Sequence, residues 1–146
     1  MNTLPLAQCD AIADAALKEG RARGFQPLTV AILDAGGHLK LLKREDGASL
    51  LRPDIATGKA WGALGMGFGG RELARRADKV PGFFTALNAM SGGRMVPVAG
   101  GALIRNAASQ IIGAIGISGD TSDNDEVALL AGVQSQGLVA DTGDPR

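Results

Sequence analysis

The chain has 146 residues, with lysine plus arginine balanced by aspartate plus glutamate at 15 each, and 22 glycines, one cysteine, one histidine and no tyrosine. That length suits one domain able to withdraw about 70% of its unfolded surface from water, while a formal net charge of zero supplies no sequence-wide field for nucleic acid or an anionic membrane. A lone Cys9 and a lone His38 exclude an internal disulfide and a closed tetrahedral zinc site, and 3% aromatics leave few platforms on which single-stranded nucleic acid could stack.

The start Met-Asn-Thr-Leu-Pro has no basic segment followed by an apolar core, and no apolar run approaches the roughly 20 residues of a membrane span. A cytoplasmic protein is the expectation. Thr3 is placed to cap a first helix, in which Leu6, Cys9, Ala13, Ala16, Leu17 and Gly20 make one apolar stripe. Cys9 on that stripe reads as a small, inert core residue. Leu28 to Asp34 reads as a strand, Ala35-Gly36-Gly37 as a tight reversal and His38 to Arg44 as the returning strand of a hairpin. Asp34 and His38 then face each other near the turn. His38 can be an axial metal ligand or proton carrier, or simply a histidine at a strand end beside an exposed turn.

A second helix runs from about Leu51, with Pro53 in its first turn. Lys59 interrupts its stripe of Ile55, Ala63 and Met66. It can snorkel, or it can bind an anion or move a proton. Thr57-Gly58-Lys59 is not a phosphate loop, because Pro53 stands where that motif needs glycine. Gly65 to Gly70 has the glycine spacing of a dinucleotide fingerprint but follows a helix instead of a strand, so it reads as a corner before a short polar helix, Arg71 to Lys79. From Val80 to Val96 the chain reads as a loop with one apolar turn at Phe83, Phe84 and Leu87, rings that line a pocket or subunit contact or fill core. Arg94 follows two glycines and can clamp a carboxylate.

Pro97 to Gly101 leads into a strand, Ala102 to Arg105, and a turn at Asn106 to Gln110 reverses it into Ile111 to Ser118. That β-branched run, broken only by Gly113 and Gly116, reads as an inner strand buried on both faces. It leaves through Ser118-Gly119-Asp120 to a helix capped by Ser122, with Asp125 three residues on. Asp123, Asp125 and Glu126 lack the spacing of a calcium loop and read as helix-start acids, so no metal centre is expected. Gly137 ends that helix, and Asp141 to Arg146 reads as a loose tail.

Laid out in this order, Val30 to Leu39, Arg44 to Ala48, Ile55-Ala56 with Lys59-Ala60, Gly92-Gly93-Arg94, Pro97, Gly100-Gly101, Ile112 to Gly119 and Asp125-Glu126 resemble the small haem-binding family typified by GlcG and HbpS, also seen as the C-terminal domain of PduO-type corrinoid adenosyltransferases. The resemblance implies an α+β fold with a five-stranded, mostly antiparallel sheet and helices packed on its faces. It also implies a homo-oligomer, a place in a catabolic operon for some members, and haem or a related tetrapyrrole as ligand. Haem needs an axial donor and an apolar slot, and His38 is the one imidazole available.

Two functional classes follow. One is a small-ligand-binding protein, with Arg94, Gly100, Gly101, Ser118, Gly119, Asp120 and His38 as candidate contacts. The other is a cofactor-independent isomerase, hydratase or lyase acting on a small carboxylate, with Asp125 or Glu126 as base and Lys59 or Arg94 holding the anion. A purely structural subunit, in which the glycines only allow tight packing, is a third.

Overall fold

The computed structural model describes residues 3–144. Its elements follow in the order α1 (Leu6–Ala22), β1 (Thr29–Asp34), β2 (Leu39–Arg44), α2 (Arg52–Met66), α3 (Gly70–Lys79), α4 (Pro81–Met90), β3 (Gly101–Arg105), β4 (Ile111–Ser118), α5 (Ser122–Gln134) and β5 (Val139–Asp141). The strands form one sheet in the order β2-β1-β4-β3-β5, and every pairing is antiparallel. The α+β architecture is as expected, with β4 an inner strand between β1 and β3.

Alternation along the strands divides the sheet into two unlike faces. Val30, Ile32, Ile104, Ile115 and Ile117 pack with Ile12 of α1 and with Leu129 and Val133 of α5. That side is filled by branched aliphatic groups. The other side carries Ala114, Gly101 and Gly116, and α2 comes down on it with Ala56, Gly58, Lys59, Ala60, Gly62 and Ala63 buried. A Cβ on Gly116 would stand 1.9 Å from the carbonyl oxygen of Ala56, and one on Gly101 would stand 2.6 Å from that of Lys59. Helix backbone therefore rests on sheet backbone, which no larger residue allows.

Four expectations are corrected. Residues 81–90 form a helix where a loop was expected, since Pro81 occupies its first turn and Phe84 anchors it against Leu73 and Met95. The expected loose tail begins as a strand: β5 pairs with β3, and the Thr142 carbonyl accepts from the Arg71 N–H at 3.0 Å. Residues 145 and 146 lie outside the described residues. The cap of α5 is Thr121, whose Oγ1 accepts from the Asn124 N–H at 3.1 Å, so Ser122 already belongs to the first turn. At α1, Pro5 holds the cap position without a side-chain bond, and Thr3 is not the cap.

Candidate functional site

Lys59 comes from the middle of α2 and meets the exit of β4. Its ammonium donates to the carbonyl of Ile117 at 2.8 Å and to Asp125 Oδ2 at 3.1 Å, and the two side chains are 3% and 1% exposed. Snorkelling is thereby ruled out. Burial pushes the Lys59 pKa down and the Asp125 pKa up, while their mutual attraction opposes both shifts. Asp125 also accepts from the Asp120 N–H at 2.9 Å. Gly100, at φ +101, passes directly over the pair, and a Cβ there would lie 2.8 Å from Lys59 Nζ. The pair thus ties α2, β4, the Gly100 turn and α5 together, and it is closed to solvent within the monomer.

The remaining candidates spread outward from this pair. Ser118 is buried, and its Oγ accepts from Arg52 at 3.0 Å. Gly119 allows the loop to touch the backbone of Pro27 and Leu28. Asp120 accepts from the backbone N–H groups of Gln26 and Thr121 and from the Asn124 amide, at 2.8, 2.7 and 2.8 Å, and these bonds hold its carboxyl below the usual range. Glu126 turns away from Lys59. Arg71 Nε donates to both of its oxygens at 3.0 Å and Arg71 also reaches Asp123 at 2.7 Å, yet burial raises the Glu126 pKa.

Arg94 is held in place, with its terminal nitrogens left without a partner among the described residues. Its guanidinium lies 4.1 Å over the ring of Trp61, and its Nε donates to the Ser91 carbonyl at 2.9 Å. Neither Arg52, Arg71 nor Trp61 stood out in the sequence, because each acts through a partner far along the chain.

His38 sits at the hairpin turn with its side chain 82% exposed. Asp34 Oδ1 accepts from the backbone N–H groups of Gly36 and His38, both at 3.0 Å, and lies 3.3 Å from His38 Nδ1. The N–H groups, led by that of His38, keep the Asp34 carboxyl below its ordinary pKa. A carboxylate at that position selects the tautomer with its proton on Nδ1 and leaves the Nε2 lone pair available. The pair borders a hollow of about 310 Å³ between the hairpin turn and the sheet end, walled by Leu4 and Ile112 and edged by Lys40. The four-residue interval from Asp34 to His38 was visible in the sequence; the backbone bonds that make Asp34 an orienting group were not. Cys9 offers no alternative donor, since it is fully buried and burial raises its thiol pKa. Among the described residues no group of three or more histidine, cysteine or acidic side chains could hold a metal ion by itself.

Residues 4–134 match the family model described as Haem degrading protein HbpS-like. The fold is similar to that of a PduOC:haem complex, with a TM-score of 0.82, 26% identity, and coverage of 97% of this chain and 99% of that one. It is similar to the Klebsiella pneumoniae protein ORFY at a TM-score of 0.82 and 27% identity, covering 92% and 90%. HbpS gives a TM-score of 0.79 at 28% identity, covering 91% and 89%. Among curated proteins none matches the sequence.

Proposed function

The chain belongs to the HbpS-like family, and on that footing we propose that it binds haem with His38 as the axial donor. The Asp34–His38 pair carries the proposal: a carboxylate 3.3 Å from Nδ1 orients the ring and leaves Nε2 as the outward donor, as the carboxylate partners of metal-bound imidazoles do. Leu4 and Ile112 give the hollow its apolar wall, and Lys40 stands at its edge where a propionate would meet a cation. Bound iron supplies the redox chemistry; the chain supplies ligation, orientation and charge. Leu39, the residue after His38, is 55% exposed, so a second copy of the chain would cover both the apolar edge and the open side of the ligand. That places the homo-oligomer within the same proposal. Among the described residues no helix is long and apolar enough to cross a membrane.

The PduOC:haem complex supports the choice of ligand, whereas the Lys59–Asp125 pair has no opening through which a carboxylate could reach it. The test is a haemin titration followed by absorbance. Wild-type protein is expected to give a sharp Soret band that saturates at one equivalent, His38→Ala to lose the saturating band, and Asp34→Asn to weaken binding roughly 10- to 100-fold. An unchanged band in His38→Ala would remove the proposed ligand.

A further inference from the structure

A second hollow, of about 430 Å³, lies between α3, α4 and the end of α2, and shares no lining residue with the hollow at His38. Its size is within the ~300–1,000 Å³ of small-ligand sites. One wall is charged: Glu72, Arg75, Arg76 and Lys79 recur along α3 at helical steps that bring them to one face. The other wall is apolar, formed by Val80, Phe83 and Phe84, with Met66 beside it. Val80 is at once the C-cap of α3 and the N-cap of α4, so the two walls diverge from a single residue. Phe83 and Phe84 meet edge to face with centroids 6.0 Å apart, Phe84 buried and Phe83 55% exposed. An aromatic side chain is thus held open to solvent opposite a row of cations.

The charges on that row are unevenly spent. Glu72 takes the Nε groups of both Arg75 and Arg76 at 2.9 Å, and Arg75 is held again by Asp144 and by the Gly143 carbonyl. Arg76 is positioned by its stack 4.0 Å over Phe68, while its terminal nitrogens have no hydrogen-bond partner among the described residues. Lys79 has none either. A planar fork with free donors and a free ammonium therefore border an apolar wall, the combination that recognises a carboxylate on a hydrocarbon body.

We propose that the α3–α4 hollow binds a small amphipathic carboxylate, an aliphatic or arylalkyl acid, with Arg76 and Lys79 on the carboxylate and Val80, Phe83 and Met66 around the apolar part. Phe84 is the one buried residue of α4, so the apolar wall can yield to ligands of somewhat different width.

Calorimetric titration of the full chain with decanoate tests this, with decanol and decyltrimethylammonium as neutral and cationic controls. One decanoate per chain is expected at saturation, with decanol at least tenfold weaker and the cation weaker still. Arg76→Gln and Lys79→Ala should each weaken decanoate about tenfold, and Phe83→Asp should abolish binding while the exposed position leaves the circular dichroism spectrum unchanged. His38→Ala should bind decanoate as wild type does, and one equivalent of haemin should not compete. Equal affinity for decanol, no saturation, wild-type affinity in both Arg76→Gln and Lys79→Ala, or competition by haemin would each overturn the proposal.

Discussion

Under α2 the sheet presents Gly101, Ala114 and Gly116, and the helix settles until backbone touches backbone, whereas α4 buries Phe84 alone among its ten residues, with Leu87 packed partly beside it. Beneath α2 each added atom must displace a peptide group. Along α4 a Cβ on Gly82 would meet nothing within 4 Å. The first region fixes Lys59 at a depth where its ammonium has two partners and the side chain is almost wholly buried; the second leaves a hollow beside α4 that can admit a molecule. Close backbone contact gives a rigid hub, and sparse side-chain contact gives an adaptable wall, because local opening costs least where little apolar surface is buried.

The contrast can be broken most severely at Gly116. Gly116→Val places new atoms against the Ala56 carbonyl, 1.9 Å from the first of them, and the expected outcome is loss of the folded state, read as absent cooperative unfolding in urea. Lys59→Ala is next. It leaves Asp125 buried without its counter-ion, an expected loss of about 3–5 kcal/mol by denaturant titration. Burial holds the Asp125 pKa up, so the folded variant takes up a proton more readily than the unfolded chain. The loss should therefore shrink as pH falls, and a deficit that grows on acidification would contradict the buried-charge account.

Asp120, in the loop from β4 to α5, has the opposite sign. Its folded pKa lies below the ordinary 3.8 because three N–H donors favour the carboxylate. The stability it adds is complete above that ordinary value and disappears as pH falls through the lower folded one. Asp120→Asn is expected to cost roughly 1 kcal/mol near neutrality and to flatten the acid limb of the stability–pH curve. The smallest effect belongs to α4, where Gly82→Ala fits without contact and should stabilise by about 0.5–1 kcal/mol, seen as slower amide exchange confined to that helix.

Much of this architecture was legible in the residues. The apolar run from Leu28 to Asp34 and the aliphatic run from Ile111 to Ser118 are local signals that became β1 and β4, and Ala35-Gly36-Gly37 became the reversal expected of it. Lys59 was conspicuous as a charge in a stripe of small residues. The α4 helix was hidden by Gly82 and by Gly92-Gly93, whose positive φ values belong to the turn after it and not to the helix. A three-residue strand such as β5 carries no period to recognise; it exists because the edge of β3 offers it hydrogen bonds.

The sequence alone determined the elements other than α4 and β5, the two-sided burial of β4 and the placing of an Asp34 carboxylate within reach of a single imidazole, since all of these are signalled by neighbours a few residues apart. Only the tertiary structure decided that Lys59 would be shut in with Asp125, 66 residues away, that Glu126 would answer Arg71, and that two helices would diverge at Val80 around a hollow. Such choices depend on which long-range partner is desolvated along with each charge, and that is set by how closely the backbones of α2, β4 and α5 approach one another.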